Sequence, residues 1–114
     1  MSEFTLKTRL LAALEGKPVD KIPVCSVTQT GIVELMDEVG ASWPEAHTNP
    51  ELMAKLAIAN HELSGLEAVR LPYCLTVLVE AMGCEINMGT KNRQPSVTDS
   101  PYPKSLDGAA VPAD

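Results

Sequence analysis

Five side chains in this sequence are of types that bind metals or act as nucleophiles: Cys25, Cys74, Cys84, His47 and His61. Structural zinc sites usually draw their ligands from closely spaced pairs. Here no two cysteines form a C-x-x-C pair, and the histidines stand fourteen residues apart, outside any H-x-C or H-E-x-x-H pattern. We therefore expect buried, reduced thiols and no metal site built from these five residues.

Composition and charge exclude several other classes of function. The formal net charge is −6 and the basic residues are scattered, whereas a nucleic-acid-binding protein needs a basic face. No run of about 18 apolar residues is present, so no membrane span is expected. The start of the chain, MSEFTLKTRLL, lacks the apolar core of a secretory signal. The prediction is a cytoplasmic protein with neither nucleic acid nor membrane as a partner.

Apolar spacing divides residues 1–99 into seven predicted elements. The helical elements carry apolar side chains at intervals of three and four, and the strands are short and apolar at most positions. Glycine and proline mark their ends. The predicted elements are a helix at 3–15, a strand at 22–27, helices at 31–39 and 50–64, a strand at 68–72, a short helix at 75–82 and a strand at 84–88.

Strands that alternate with helices predict an α/β fold with a parallel sheet. The two apolar strands at 22–27 and 68–72, even with the strand at 84–88 and a possible further one at 95–99, do not complete a sheet layer, and their open edges would be exposed. Residues 100–114 are predicted to form an extended linker without a core of its own. We therefore expect this chain to be the N-terminal part of a longer protein.

Candidate site residues follow the two apolar strands. Thr28 and Gln29 come directly after the first strand, and Tyr73, Cys74 and Thr76 come after the second. Because the carboxyl ends of parallel strands meet at one edge of a sheet, these side chains are candidates for the wall of a binding pocket. An ordinary place in a loop or in the core explains each of them at least as well.

Two stretches of the sequence resemble a known family. ALEGKPVDKIPV, at 13–24, is similar to the opening of the uroporphyrinogen decarboxylase superfamily, and LEAVRLPYCLTVLVEAMGCEI, at 66–86, resembles its second-strand region. The resemblance implies that the chain is the N-terminal portion of a (β/α)8 TIM barrel, incomplete here. Within the superfamily, the chain most resembles the methylcobamide:coenzyme M methyltransferases.

Departures from the decarboxylase pattern favour the methyltransferase branch. Decarboxylases carry an Arg-Gln-Ala-Gly-Arg segment whose arginines pair with porphyrin carboxylates, and the matching residues here, 28–32, are TQTGI. Cys74 stands where decarboxylases have an aspartate that meets the pyrrole N–H groups. A site without these anchors is not expected to bind a polycarboxylate tetrapyrrole in the decarboxylase manner.

The methyltransferase resemblance also implies a cofactor and partners. In that branch a zinc ion binds the thiol of coenzyme M as a thiolate, which accepts a methyl group from a corrinoid carried by a partner protein. The zinc ligands of the branch are a His-x-Cys pair and a distant Cys in the C-terminal half, and no His-x-Cys occurs in this chain. No catalytic or metal-binding residue is therefore assigned here, and the chain alone is expected to be inactive.

Other functions remain open from the sequence alone. One alternative is an enzyme of tetrapyrrole synthesis similar to uroporphyrinogen decarboxylase. Another is a small, non-catalytic module that binds a cofactor. Against this second alternative, neither histidine lies in the D-x-H-x-x-G pattern of a cobalt-binding loop. A third alternative is a scaffold that associates through its open sheet edges.

Overall fold

A computed structural model describes residues 3–26 and 31–102 of the 114-residue chain. It is a mixed structure of helices and strands. In chain order the elements are α1 (Leu6–Leu14), α2 (Val33–Val39), a 3-10 helix (Glu45–His47), α3 (Pro50–Ser64), α4 (Val77–Ala81), β1 (Glu85–Asn87) and β2 (Ser96–Asp99).

Local sequence signals account for where the long helices begin and end. Thr5 caps α1: its side chain accepts from Thr8 N, and the Thr8 hydroxyl accepts from Thr5 N. The Asn49 side chain caps α3, which has Pro50 at its first position. Gly65 ends α3 in the left-handed conformation, at φ 73°. As a result, α3 spans the residues expected at 50–64, whereas α1, α2 and α4 are each shorter than the helices expected from the sequence.

The sheet differs from the expected parallel arrangement. The strands predicted at 22–27 and 68–72 are absent from the described residues, which stop at 26 in the first of them. The sheet that forms is an antiparallel pair of β1 and β2, with Ile86 opposite Val97. The strand expected at 84–88 is thus shortened to β1, and the possible strand at 95–99 forms as β2.

In place of the two missing strands lie segments without regular secondary structure. For reference we name them the first extended segment (22–26) and the second extended segment (66–72). A backbone hydrogen bond of 2.7 Å from Glu67 N to Val24 O joins them. An apolar run indicates burial, but a strand also needs neighbours that repeat such bonds along its length. Several apolar residues of both segments are exposed: Ile22, Val24, Val69 and Leu71.

The core of the described residues lies between helices. It is formed by α2, the 3-10 helix, α3 and Tyr73, with Met36, Leu56 and Tyr73 the largest side chains that are fully buried. Smaller residues such as Ala46 and Ala57 let these helices approach closely. None of the helices described is long and apolar enough to cross a membrane.

Arg9 of α1 is a charged residue, yet its side chain does not face solvent. It is 5% exposed and forms a paired contact with Asp20, from Nε to Oδ1 at 2.7 Å and from Nη2 to Oδ2 at 2.8 Å. The guanidinium is buried because these partners replace water around it.

Candidate functional site

Three of the five predicted pocket residues lie together at the end of the second extended segment. Tyr73, Cys74 and Thr76 are all buried, whereas Leu75 between them is 70% exposed. Thr28 and Gln29 lie outside the described residues. The structure therefore gives the positions of three of the five predicted residues.

Tyr73 is held as part of the core. Its side chain is fully buried, and its hydroxyl donates to the carbonyl oxygen of Met53 in α3 at 3.3 Å. Burial raises the pKa of the Tyr73 phenol to about 12, so the hydroxyl keeps its proton at neutral pH. This hydrogen bond anchors the end of the second extended segment to α3.

Cys74 and Thr76 form a polar pair next to this anchor. The Cys74 Sγ and Thr76 Oγ1 atoms are 2.9 Å apart, and the residues are 6% and 9% exposed. The contact closes the turn that leads into α4 and satisfies two polar groups that would otherwise be buried without a partner.

Sequence reasoning missed two residues of this neighbourhood, Trp43 and His47. Their rings are stacked at 5.0 Å between centroids, and the Trp43 ring lies 6.1 Å from that of Tyr73. A Cβ atom added at Gly31 would come within 2.6 Å of Trp43 Cζ2. Trp43 thus contacts both the end of the second extended segment and the residue that follows Thr28, Gln29 and Thr30.

The signal for this pair was present but ambiguous. Trp43 is the chain's one tryptophan, and it stands in the loop ASWPEAHTNPE, whose many turn residues indicate a surface connection. A large aromatic ring in such a loop is the feature that favours burial.

The electrostatics of the pair are unusual. Among the residues that the structure describes, Trp43 Nε1 and both ring nitrogens of His47 have no hydrogen-bond partner, although they are buried. Burial lowers the pKa of the His47 imidazole below its usual value, so the ring is neutral at neutral pH. The pair therefore offers uncharged donors and one acceptor, and no fixed charge.

No group of three His, Cys, Asp or Glu side chains in the part of the chain that the structure describes is arranged to hold a metal ion. Cys25 is exposed, Cys74 is buried and Cys84 is partly buried, and none of them forms a disulfide. The chemistry of a zinc centre cannot be derived from these donor groups.

A separate cleft of about 450 Å³ lies between α1, α3 and the second extended segment. Its walls are mainly apolar, and it contains none of the predicted pocket residues. The lining residues are Leu6, Lys7, Leu10, Ile58, His61, Glu67, Ala68 and Val69.

Replacing Tyr73 with phenylalanine tests the anchor to α3. We expect the free energy of unfolding to fall by about 1 kcal/mol, because the Met53 carbonyl loses its partner while the ring stays packed. Urea titration of the 114-residue chain, followed by circular dichroism, measures the change. The matched control is Tyr102→Phe, which removes an exposed hydroxyl that donates to Met82 O at 3.0 Å. An equal loss in both variants would contradict the anchor.

A family model and individual relatives among known proteins indicate the same family for this chain. A family model described as uroporphyrinogen decarboxylase (URO-D) matches residues 5–114. The methylcobamide:CoM methyltransferase MtaA of Methanosarcina barkeri is 95% identical over 114 residues, which are 100% of this chain and 34% of that protein. The methylcobamide:CoM methyltransferase MtbA of Methanosarcina mazei is 52% identical over 97 residues, which are 85% of this chain and 29% of that protein.

A solved structure agrees with these relatives. The structure of a methyltransferase from Methanosarcina mazei matches with a TM-score of 0.88 and 91% sequence identity, and the match covers 98% of this chain and 33% of that one. The chain thus spans about a third of the length of the curated relatives and of the solved structure that it matches.

Proposed function

Because this chain belongs to the uroporphyrinogen decarboxylase family, we propose that it is part of a methyltransferase that moves a methyl group from a methylated corrinoid to the thiol of coenzyme M. One observation carries the proposal: the 95% identity over the whole chain to a methylcobamide:CoM methyltransferase. At that identity, very few residues of this chain differ from those of the methyltransferase.

We place the chain in the first third of a (β/α)8 barrel. The two extended segments supply the first two barrel strands, and the rest of the barrel would cover their exposed apolar side chains. The antiparallel hairpin of β1 and β2 is then an addition to the barrel. The close match to a third of a solved methyltransferase supports this placement.

The pocket wall follows from the barrel. Active sites of such barrels lie at the carboxyl ends of the strands. In the sequence, Thr28 and Gln29 follow the first proposed strand, and Tyr73, Cys74 and Thr76 follow the second, so the proposal assigns these five residues to one side of the pocket. The tight packing of Gly31, Trp43 and Tyr73 supports a common location for the two ends.

The transfer itself requires groups beyond this chain. The methyl group leaves cobalt as the carbon–cobalt bond breaks, the electron pair stays on the metal, and the coenzyme M sulfur gains the methyl group and releases its proton. Zinc, when bound, makes the thiol a thiolate. The donor groups described here do not fit a zinc site. We propose that its ligands, and the surface that receives the corrinoid protein, lie mainly in the remaining two thirds.

The test uses a full-length protein that carries this chain. Supplied with methylcobalamin and coenzyme M, it is expected to consume the thiol and release cob(I)alamin, seen by its absorption spectrum. The 114-residue chain alone, at the same concentration, should give no transfer. Transfer by the short chain, or decarboxylation of uroporphyrinogen by the full-length protein, would overturn the proposal.

A further inference from the structure

We propose that Arg9 is a positioning residue for the pocket. It joins the starts of the two extended segments and so fixes the position of the end of one segment relative to the end of the other. The role in catalysis rests on the function proposed above. The joining of the segments does not, since it follows from contacts within the chain.

The contacts of Arg9 reach both segments at once. Its paired contact with Asp20 holds the turn that leads into the first extended segment. A third contact, from Nη1 to Glu67 Oε2 at 3.2 Å, reaches the second extended segment. One side chain of α1 therefore connects residues that are 47 positions apart in sequence, 20 and 67.

Glu67 is the second centre of this network. Its other carboxylate oxygen lies 2.9 Å from Lys21 Nζ, and its backbone N–H donates to Val24 O at 2.7 Å. The side chains of Arg9 and Glu67 are only 6% and 10% exposed. Hydrogen bonds from Lys21 and then Arg9 lower the pKa of the Glu67 carboxyl, so it remains ionised at neutral pH.

The network is balanced and specific for arginine. Arg9 and Lys21 supply two positive charges, and Asp20 and Glu67 supply two negative charges. The guanidinium offers a rigid fork that meets Asp20 with two hydrogen bonds and still has a donor for Glu67. A lysine at this position would keep the charge but lose the fork.

The position of this network gives it leverage on the pocket. Glu67 is six residues before Tyr73, and six residues of chain span at most about 20 Å. A slip of one residue between the segments would move Tyr73 by about 3.3 Å relative to Gly31 and Trp43. The charges at one end of the segments therefore resist a displacement at the other end.

The experiment compares Arg9→Gln with Arg9→Lys in a full-length protein that carries this chain. For Arg9→Gln we expect kcat/KM for coenzyme M to fall about tenfold to a hundredfold, since small displacements of positioning groups have effects of that size. Faster amide hydrogen exchange at Glu67 and at residues 73–76 should accompany the loss. Arg9→Lys should recover part of both.

Lys17→Gln is the matched control, because it removes a cation that pairs with Glu15 on the surface. It should leave kinetics and exchange unchanged. Lys21→Gln removes one contact of Glu67. Relative to the wild type it should lower kcat/KM and speed the amide exchange, but by less than Arg9→Gln. The comparison with the wild type therefore tests the proposal even if Arg9→Gln does not fold. Lower thermal stability with wild-type kinetics and wild-type exchange at 73–76 would overturn the proposal. Absence of methyl transfer in the parent protein would contradict the proposed function alone, since the exchange measurement is independent of it.

Discussion

Replacing Leu56 with alanine is expected to lower the free energy of unfolding by about 2–5 kcal/mol. Leu56 lies in the middle of α3, is fully buried, and packs in the cluster that contains Met36, Trp43 and Tyr73. Removing its side chain leaves a cavity between α3 and the elements around it. Since small domains are stable by only about 5–15 kcal/mol, this one change should remove a large part of the stability.

Urea titration of the 114-residue chain, followed by the helical circular dichroism signal, measures the loss. Leu63→Ala is the matched control: the same side chain is removed from the same helix at a position that is 56% exposed. It should cost much less, because little buried surface disappears. Equal losses in the two variants would mean that the helix core described here does not form in solution.

The helix that contains Leu56 was predictable because its signals are local. Asn49 and Pro50 begin α3, Gly65 ends it, and the apolar spacing between them requires no knowledge of the rest of the chain. The family resemblance, confirmed by the comparisons, was also readable from two short stretches of sequence.

In the extended segments, local sequence signals do not decide whether a strand forms. Residues 22–26 and 68–72 have the composition of buried strands, yet a strand exists only when a neighbour repeats its hydrogen bonds. The described residues supply one ordered pair, β1 with β2, and that pair is antiparallel. Composition indicated strands at these residues but could not indicate whether a neighbour pairs with them.

Long-range contacts explain what was missed at the site and in the network. The contact of Arg9 with Glu67 joins residues 58 positions apart, and no periodic pattern reveals such a pair. Trp43 and His47 belong to a segment whose turn residues suggest exposure. Both are nevertheless buried, because Trp43 packs on Tyr73 and against Gly31. Tertiary packing, and not local preference, decided both.

His47 should make the stability of the chain depend on pH. The residue is 7% exposed and burial lowers the pKa of its imidazole, so the folded chain disfavours the proton that the unfolded chain accepts near pH 6.5. Above that pH both states are neutral and stability is complete. As the pH falls below about 6.5, the unfolded state binds more protons, and stability is lost by at most about 1.4 kcal/mol per pH unit until the folded ring also protonates.

His47→Phe should remove this part of the pH dependence and keep the stability at pH 7.5. The phenyl ring retains the stacking on Trp43, and the lost nitrogens form no hydrogen bond with the residues that the structure describes, so their removal relieves a buried polar cost. Urea titrations of the 114-residue chain between pH 5 and pH 7.5 give the slope for each variant. His61→Gln, which keeps His47, should retain the slope. Strong destabilisation of His47→Phe at pH 7.5 would contradict this expectation. It would mean that the ring nitrogens of His47 have hydrogen-bond partners in solution.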